Sequence, residues 1–137
     1  MRVKLLALAI VSLVAIGVAG CKKGKAAAVD PHSTEGVMQA LQIQGKLLND
    51  ALARKDFAYI HDYAYYFNGL TQAMFTKLDD TQKSRLRGSL QELSNLSSQL
   101  DRAAGGHHEE ATEATLQKLS AELKELDKQF KEVKKNS

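Results

Sequence analysis

From Thr34 to the end of the chain, apolar side chains recur every three or four residues, the spacing that gives a helix one buried face. Four such segments follow one another. The first, about 34–54, places Val37, Leu41, Gln44, Leu48 and Ala51 on one side. The second, about 56–78, carries Phe57, Ile60, His61, Ala64, Phe67, Thr71, Met74, Phe75 and Leu78, with Asp56 available as N-cap. The third, about 81–104, repeats Leu86, Leu90, Leu93, Ser97, Leu100 and Ala104; Asp79 or Asp80 caps its start, and Gly105 and Gly106 close it. The fourth sets Thr112, Leu116, Leu119, Leu123, Leu126, Phe130 and Val133 on a heptad, with Lys, Glu and Asp on its other faces. No segment alternates as a strand does. Helices of about 20 residues are about 30 Å long, and connections of a few residues force antiparallel neighbours. The pattern therefore predicts an all-α, up-down-up-down antiparallel four-helix bundle over 34–137. An extended helical hairpin completed by oligomerisation is the structural alternative.

A different pattern precedes it. Arg2 and Lys4 lead into a continuous apolar run from Leu5 to Val18, followed by the small residues Ala19 and Gly20 and by Cys21. The run is shorter than the roughly 20 residues a membrane-spanning helix requires, and its layout is that of a secretory signal peptide over 1–20. "VAGC", Val18 to Cys21, resembles the lipobox of bacterial lipoproteins. That resemblance implies cleavage before Cys21 and attachment of acyl chains such as palmitate to its sulfur. Each buried methylene adds about 0.8 kcal/mol to membrane affinity, and several chains hold effectively permanently. Lys22 and Lys23 follow the cysteine where an aspartate would retain a lipoprotein at the inner membrane. The resemblance thus implies the inner leaflet of the outer membrane, with the body facing the periplasm.

Cys21 is the only cysteine, so no intramolecular disulfide forms and the fold relies on packing. Residues 21–33, rich in Lys and Ala and containing the only proline, read as a lipidated flexible tether whose cations lie near anionic headgroups. The formal charge of +3 includes Arg2 and Lys4; without them the body is near neutral and offers no electrostatic footprint for nucleic acid.

The body, over about 34–134, also resembles periplasmic four-helix bundles of the cytochrome c-prime type in helix number, length and compartment. Those proteins bind haem covalently through Cys-x-x-Cys-His near the end of the last helix. Here that helix ends "KQFKEVKKNS", without cysteine or histidine, so covalent haem is ruled out.

The candidate chemistry is sparse. His61 falls on the predicted apolar face, level with Asn49, Ser97 or Ser98, and Thr115; it is either a hydrogen-bonded core histidine or a ligand for haem or metal. Met38 and Met74 fall at one end of the bundle, where two thioethers could hold Cu(I) or simply fill the core. In "GGHHEEATE", His107 and Glu110 have the spacing of a helical pair, while Glu109 and Glu110 oppose the positive helix end. Tyr59, Tyr63 and Tyr66, continued by Leu70, form a second stripe about 110° from the core face. Tyrosine joins a large contact area to a polar tip, which suits an interface with another protein or a second copy.

No nucleophile elbow, phosphate-binding glycine loop or HExxH run is present, and carboxylate pairs sit at helix starts where capping accounts for them. The sequence therefore points to a non-catalytic, lipid-anchored interaction module of the envelope with no required cofactor. Its alternative is a small-ligand protein holding non-covalent haem or copper.

Overall fold

The structure, a computed structural model, describes residues 29–137. The apolar leader, Cys21 and the first part of the tether lie outside the described residues. Helix α1 spans Thr34–Ala53, α2 Phe57–Lys77, α3 Asp80–Gly105 and α4 Glu109–Lys135. Residues 54–56, 78–79 and 106–108 connect them, too short a reach for anything but antiparallel neighbours. Each helix packs against its chain neighbours, α4 returns to α1, and the Cα traces of neither diagonal pair come within 8 Å. This is the up-down-up-down four-helix bundle, closed within one chain rather than a hairpin awaiting a partner.

Local chemistry sets the helix ends. Ser33 Oγ accepts from Gly36 N–H at 3.0 Å, and Asp56 Oδ1 from Tyr59 N–H at 3.0 Å. Asp79 forms a capping box with Gln82, each side chain accepting from the other's backbone N–H, at 2.8 and 3.1 Å. Helix α4 has His108 at its N-cap, with no side-chain cap bond. Gly105 and Gly106 end α3 as the sequence suggests, but neither takes the left-handed conformation. His107 does, at φ 54°, and Lys55 does the same in the α1–α2 turn, at φ 56°.

The end of the tether is structured. Ser33 N–H and Oγ–H both donate to the Asp30 carbonyl, and His32 N–H donates to Asp30 Oδ1. This turn lies directly on Gly36, where a Cβ would come within 2.1 Å of the Asp30 carbonyl oxygen.

Leu41, Leu48, Ile60, Phe67, Leu93 and Leu126, among other predicted core positions, are fully buried, whereas Phe57 and Phe75 are only half-buried and His61 is exposed. Each fully buried side chain contributes about 1.5–3 kcal/mol relative to exposure. Backbones approach least between α1 and α4. Gly45 permits that seam, since a Cβ there would stand 2.8 Å from Leu123 Cδ2. Asn49 Nδ2 donates across it to Ser120 Oγ at 3.0 Å, and Lys134 donates to Glu35.

Candidate functional site

Helical geometry sorts the flanks of α2. His61, Asn68 and Phe75 face α3: His61 bonds Asp101, Asn68 accepts from Ser94, and Lys83 and Arg87 stand over the Phe75 ring. At 100° per residue, Tyr59, Tyr63, Tyr66 and Leu70 then occupy the opposite flank, towards α1. On α1, Gly45 and Asn49 face α4, so Ile43 and Leu47 occupy the flank towards α2. A turn centred on Lys55 sets Leu47 level with Tyr63, and Ile43 level with Tyr66 and Phe67. The outer edge of the α1–α2 seam is consequently apolar from both sides.

The tyrosines form a ladder. The rings of Tyr59 and Tyr63 stack, with centroids 4.1 Å apart and planes 16° from parallel, and Tyr63 meets Tyr66 edge-on at 6.3 Å and 80°. The edge-on contact is a favoured aromatic geometry. Burial then decreases outward: Tyr59 and Leu70 are half-buried, whereas Tyr63 is 40% exposed and Tyr66 52%. Ile43 at 55% and Leu47 at 40% extend the patch onto α1. These two residues were missed by reading α1 for its core alone, although their i, i+4 spacing away from that core was a usable signal. Tyr65, 78% exposed, belongs to the other flank.

His61 is not on the core face. Its side chain is 51% exposed, and Nδ1–H donates to Asp101 Oδ1 at 2.8 Å; the Asp101 carbonyl oxygen lies 3.2 Å from the same nitrogen. The reason is angular: Ile60, Ala64 and Phe67 define the buried face, and His61 is turned a full residue step from Ile60. Its bonding partner is therefore Asp101 near the end of α3; Asn49 bonds the Gly45 carbonyl and Ser120 instead, and Ser97 and Ser98 bond carbonyls of their own helix. The ring rests against Gly105, where a Cβ would be 2.9 Å from Nδ1.

Met38 and Met74 are both buried in the core cluster, and Met38 also lines a small groove with Phe130 beside the Glu35–Lys134 pair. His107 and Glu110 are exposed; His107 lies edge-on to Phe57, centroids 6.1 Å apart. The neighbouring Glu109 pairs with Lys55 at 3.0 Å. Among the described residues, no group of three or more His, Cys, Asp or Glu could hold a metal ion. No described helix is long and apolar enough to cross a membrane.

Neither a protein-family model, nor a curated protein, nor a solved structure matches this chain.

Proposed function

We propose that this protein is a lipid-anchored, non-catalytic accessory module of the bacterial envelope that docks a partner protein over the α1–α2 seam. Acyl chains on Cys21 hold it in the inner leaflet of the outer membrane, and the bundle faces the periplasm. One observation carries the docking surface: Ile43, Leu47, Tyr63 and Tyr66, four of the most exposed large apolar side chains among the described residues, converge on one seam. A contiguous apolar patch with aromatic anchors is the usual mark of a protein contact.

The anchor also orients that surface. Cys21 leads through the tether to Ser33 at the start of α1, so the 78–79 turn and the end of α4 share the membrane-proximal end of the bundle. Lys77 and Lys135, in the last turns of α2 and α4, lie at the same end and suit anionic headgroups. The seam runs along the bundle's side and stays open to the periplasm.

The test is photocrosslinking in living cells. A benzophenone amino acid at position 43 or 66 should give a discrete crosslinked band, and the same probe at exposed Glu125 should not. Acyl labelling should require Cys21. Bands of equal yield at all three positions, or at none, would sink the docking surface; acyl labelling of a Cys21→Ala chain would sink the anchor.

A further inference from the structure

A concavity of about 650 Å³ lies between α2 and α3, on the flank of α2 away from the tyrosine ladder. Clefts of this size between bundle helices are common small-molecule sites. Its floor is apolar: Leu90 and Thr71 are buried, and Phe75 is half-buried. Its rims carry the amides of Gln72, Gln91 and Asn95. At one end Ser94 Oγ–H donates to Asn68 Oδ1 at 2.7 Å, a bridge that separates this groove from the next hollow along the helices.

The charges decide the ligand. Arg87 is the only charged residue lining the groove, and no lining residue is acidic. Its guanidinium carbon stands 5.8 Å from the Phe75 ring centroid, and Lys83 Nζ stands 5.6 Å from the same centroid. Lys83 and Arg87 are i, i+4 neighbours on α3, an arrangement of like charges that costs a helix a few tenths of a kcal/mol. Neither takes part in any ion pair among the described residues. Two unneutralised cations are thus gathered over one aromatic ring at the mouth of an acid-free groove.

We infer that the α2–α3 groove binds a small carboxylate with an apolar body. The carboxylate accepts two parallel N–H bonds from Arg87, a match that lysine cannot provide, with the Lys83 ammonium alongside. The apolar body lies along Phe75, Leu90 and the Thr71 methyl, and Gln72, Gln91 and Asn95 receive its polar substituents. This site is independent of the docking reading, because it uses the other flank of α2.

The experiment titrates three probes into the isotope-labelled lipidated protein in phospholipid nanodiscs, with empty nanodiscs as blank. The probes are 1-naphthoate, its neutral amide 1-naphthamide, and inorganic phosphate. Naphthoate should give saturable amide shifts confined to residues 71–76 and 87–95. The amide and phosphate should each bind about tenfold more weakly or worse, because each lacks one half of the recognition. Arg87→Gln should lose naphthoate about tenfold with an unchanged thermal melt, and Lys83→Gln should lose less. Equal binding of acid and amide, shifts centred on Tyr63 and Tyr66, or full retention by Arg87→Gln would each overturn the assignment. So would the absence of saturable shifts.

Discussion

Lys134, in the last turn of α4, donates to Glu35 in the first turn of α1, ninety-nine positions earlier, and closes the α1–α4 seam at the end of the bundle where α1 begins. That bond is the main reason the Glu35 carboxyl is lowered from 4.5 to about 2; its own backbone N–H and the Thr34 hydroxyl, at 3.0 Å, add to it. A depressed folded-state pKa stabilises the fold above the unfolded value and loses that contribution as pH falls towards the folded one. Stability from this pair is therefore fully present above about pH 4.5 and lost between there and about pH 2. Both side chains are more than a third exposed, so the contribution is about 1 kcal/mol or less. Lys134→Ala should raise the Glu35 pKa from about 2 towards 4.5 in a carboxyl NMR titration. An unchanged Glu35 pKa would contradict the pairing.

Glycine substitutions separate open from crowded helix positions. At Gly69 and Gly88 a Cβ would meet nothing within 4 Å. Gly69→Ala and Gly88→Ala should each stabilise by about 0.5–1 kcal/mol through reduced chain entropy and better helix propensity. At Gly36 the same methyl enters the Asp30–Pro31 backbone, so Gly36→Ala should destabilise by about 1–3 kcal/mol or displace the turn. Urea melts of the three variants should show opposite signs.

The bundle was legible because each heptad in α3 and α4 shows a single apolar stripe, and because Asp56 and Asp79 sit where caps are needed. His61 was misplaced because a 3.6-residue repeat leaves flank positions beside the core face. Phe57 and Phe75 on the same flank are apolar and half-buried, so hydrophobicity alone could not show where the core stopped. The ring's true partner, Asp101, lies forty residues away and becomes visible only once α2 and α3 are in register. The tyrosine stripe was legible as a stripe, but half of its patch was not. Ile43 and Leu47 join it only when the side of α1 that faces α4 is known, and Gly45 against Leu123 fixes that side. The α2–α3 groove left no trace in the pattern, since Arg87, Gln91 and Asn95 read as an ordinary solvated face.

Two helix junctions retain correctable strain. Lys55 holds φ 56°, a conformation that costs a residue with a Cβ about 1–2 kcal/mol. Lys55→Gly should gain about 1 kcal/mol, because the exposed Lys55–Glu109 pair it removes offsets little of the relief. His108→Asp should add about 1 kcal/mol by supplying the cap α4 lacks and an anion at its positive end. Scanning calorimetry of each single variant and of the pair should show nearly additive increases. A Lys55→Gly protein that melts no higher would mean that the turn carries no strain worth relieving.

Gln44 presents the opposite case, a polar side chain at a core position of α1, 4% exposed, whose Nε2 has no hydrogen-bond acceptor. A buried donor left unmade costs about 1–3 kcal/mol, whereas an apolar replacement of the same shape restores much of that. Methionine has nearly the same length and flexibility, so Gln44→Met should stabilise by about 1–2 kcal/mol. For a domain of this size each kcal/mol raises Tm by about 4–8 °C. Gln44→Glu places a carboxylate at the same point and should cost several kcal/mol, or fold only at low pH. The orphan amide also lies on the helix whose contact with α4 is thinnest, which makes α1 the least firmly held element. Hydrogen exchange should therefore release the amides around Leu41 and Leu48 before those around Leu93 and Leu119, and Gln44→Met should narrow that difference. Uniform exchange across the four helices, with no gain from Gln44→Met, would show that the amide is satisfied and that α1 is as tightly bound as the rest.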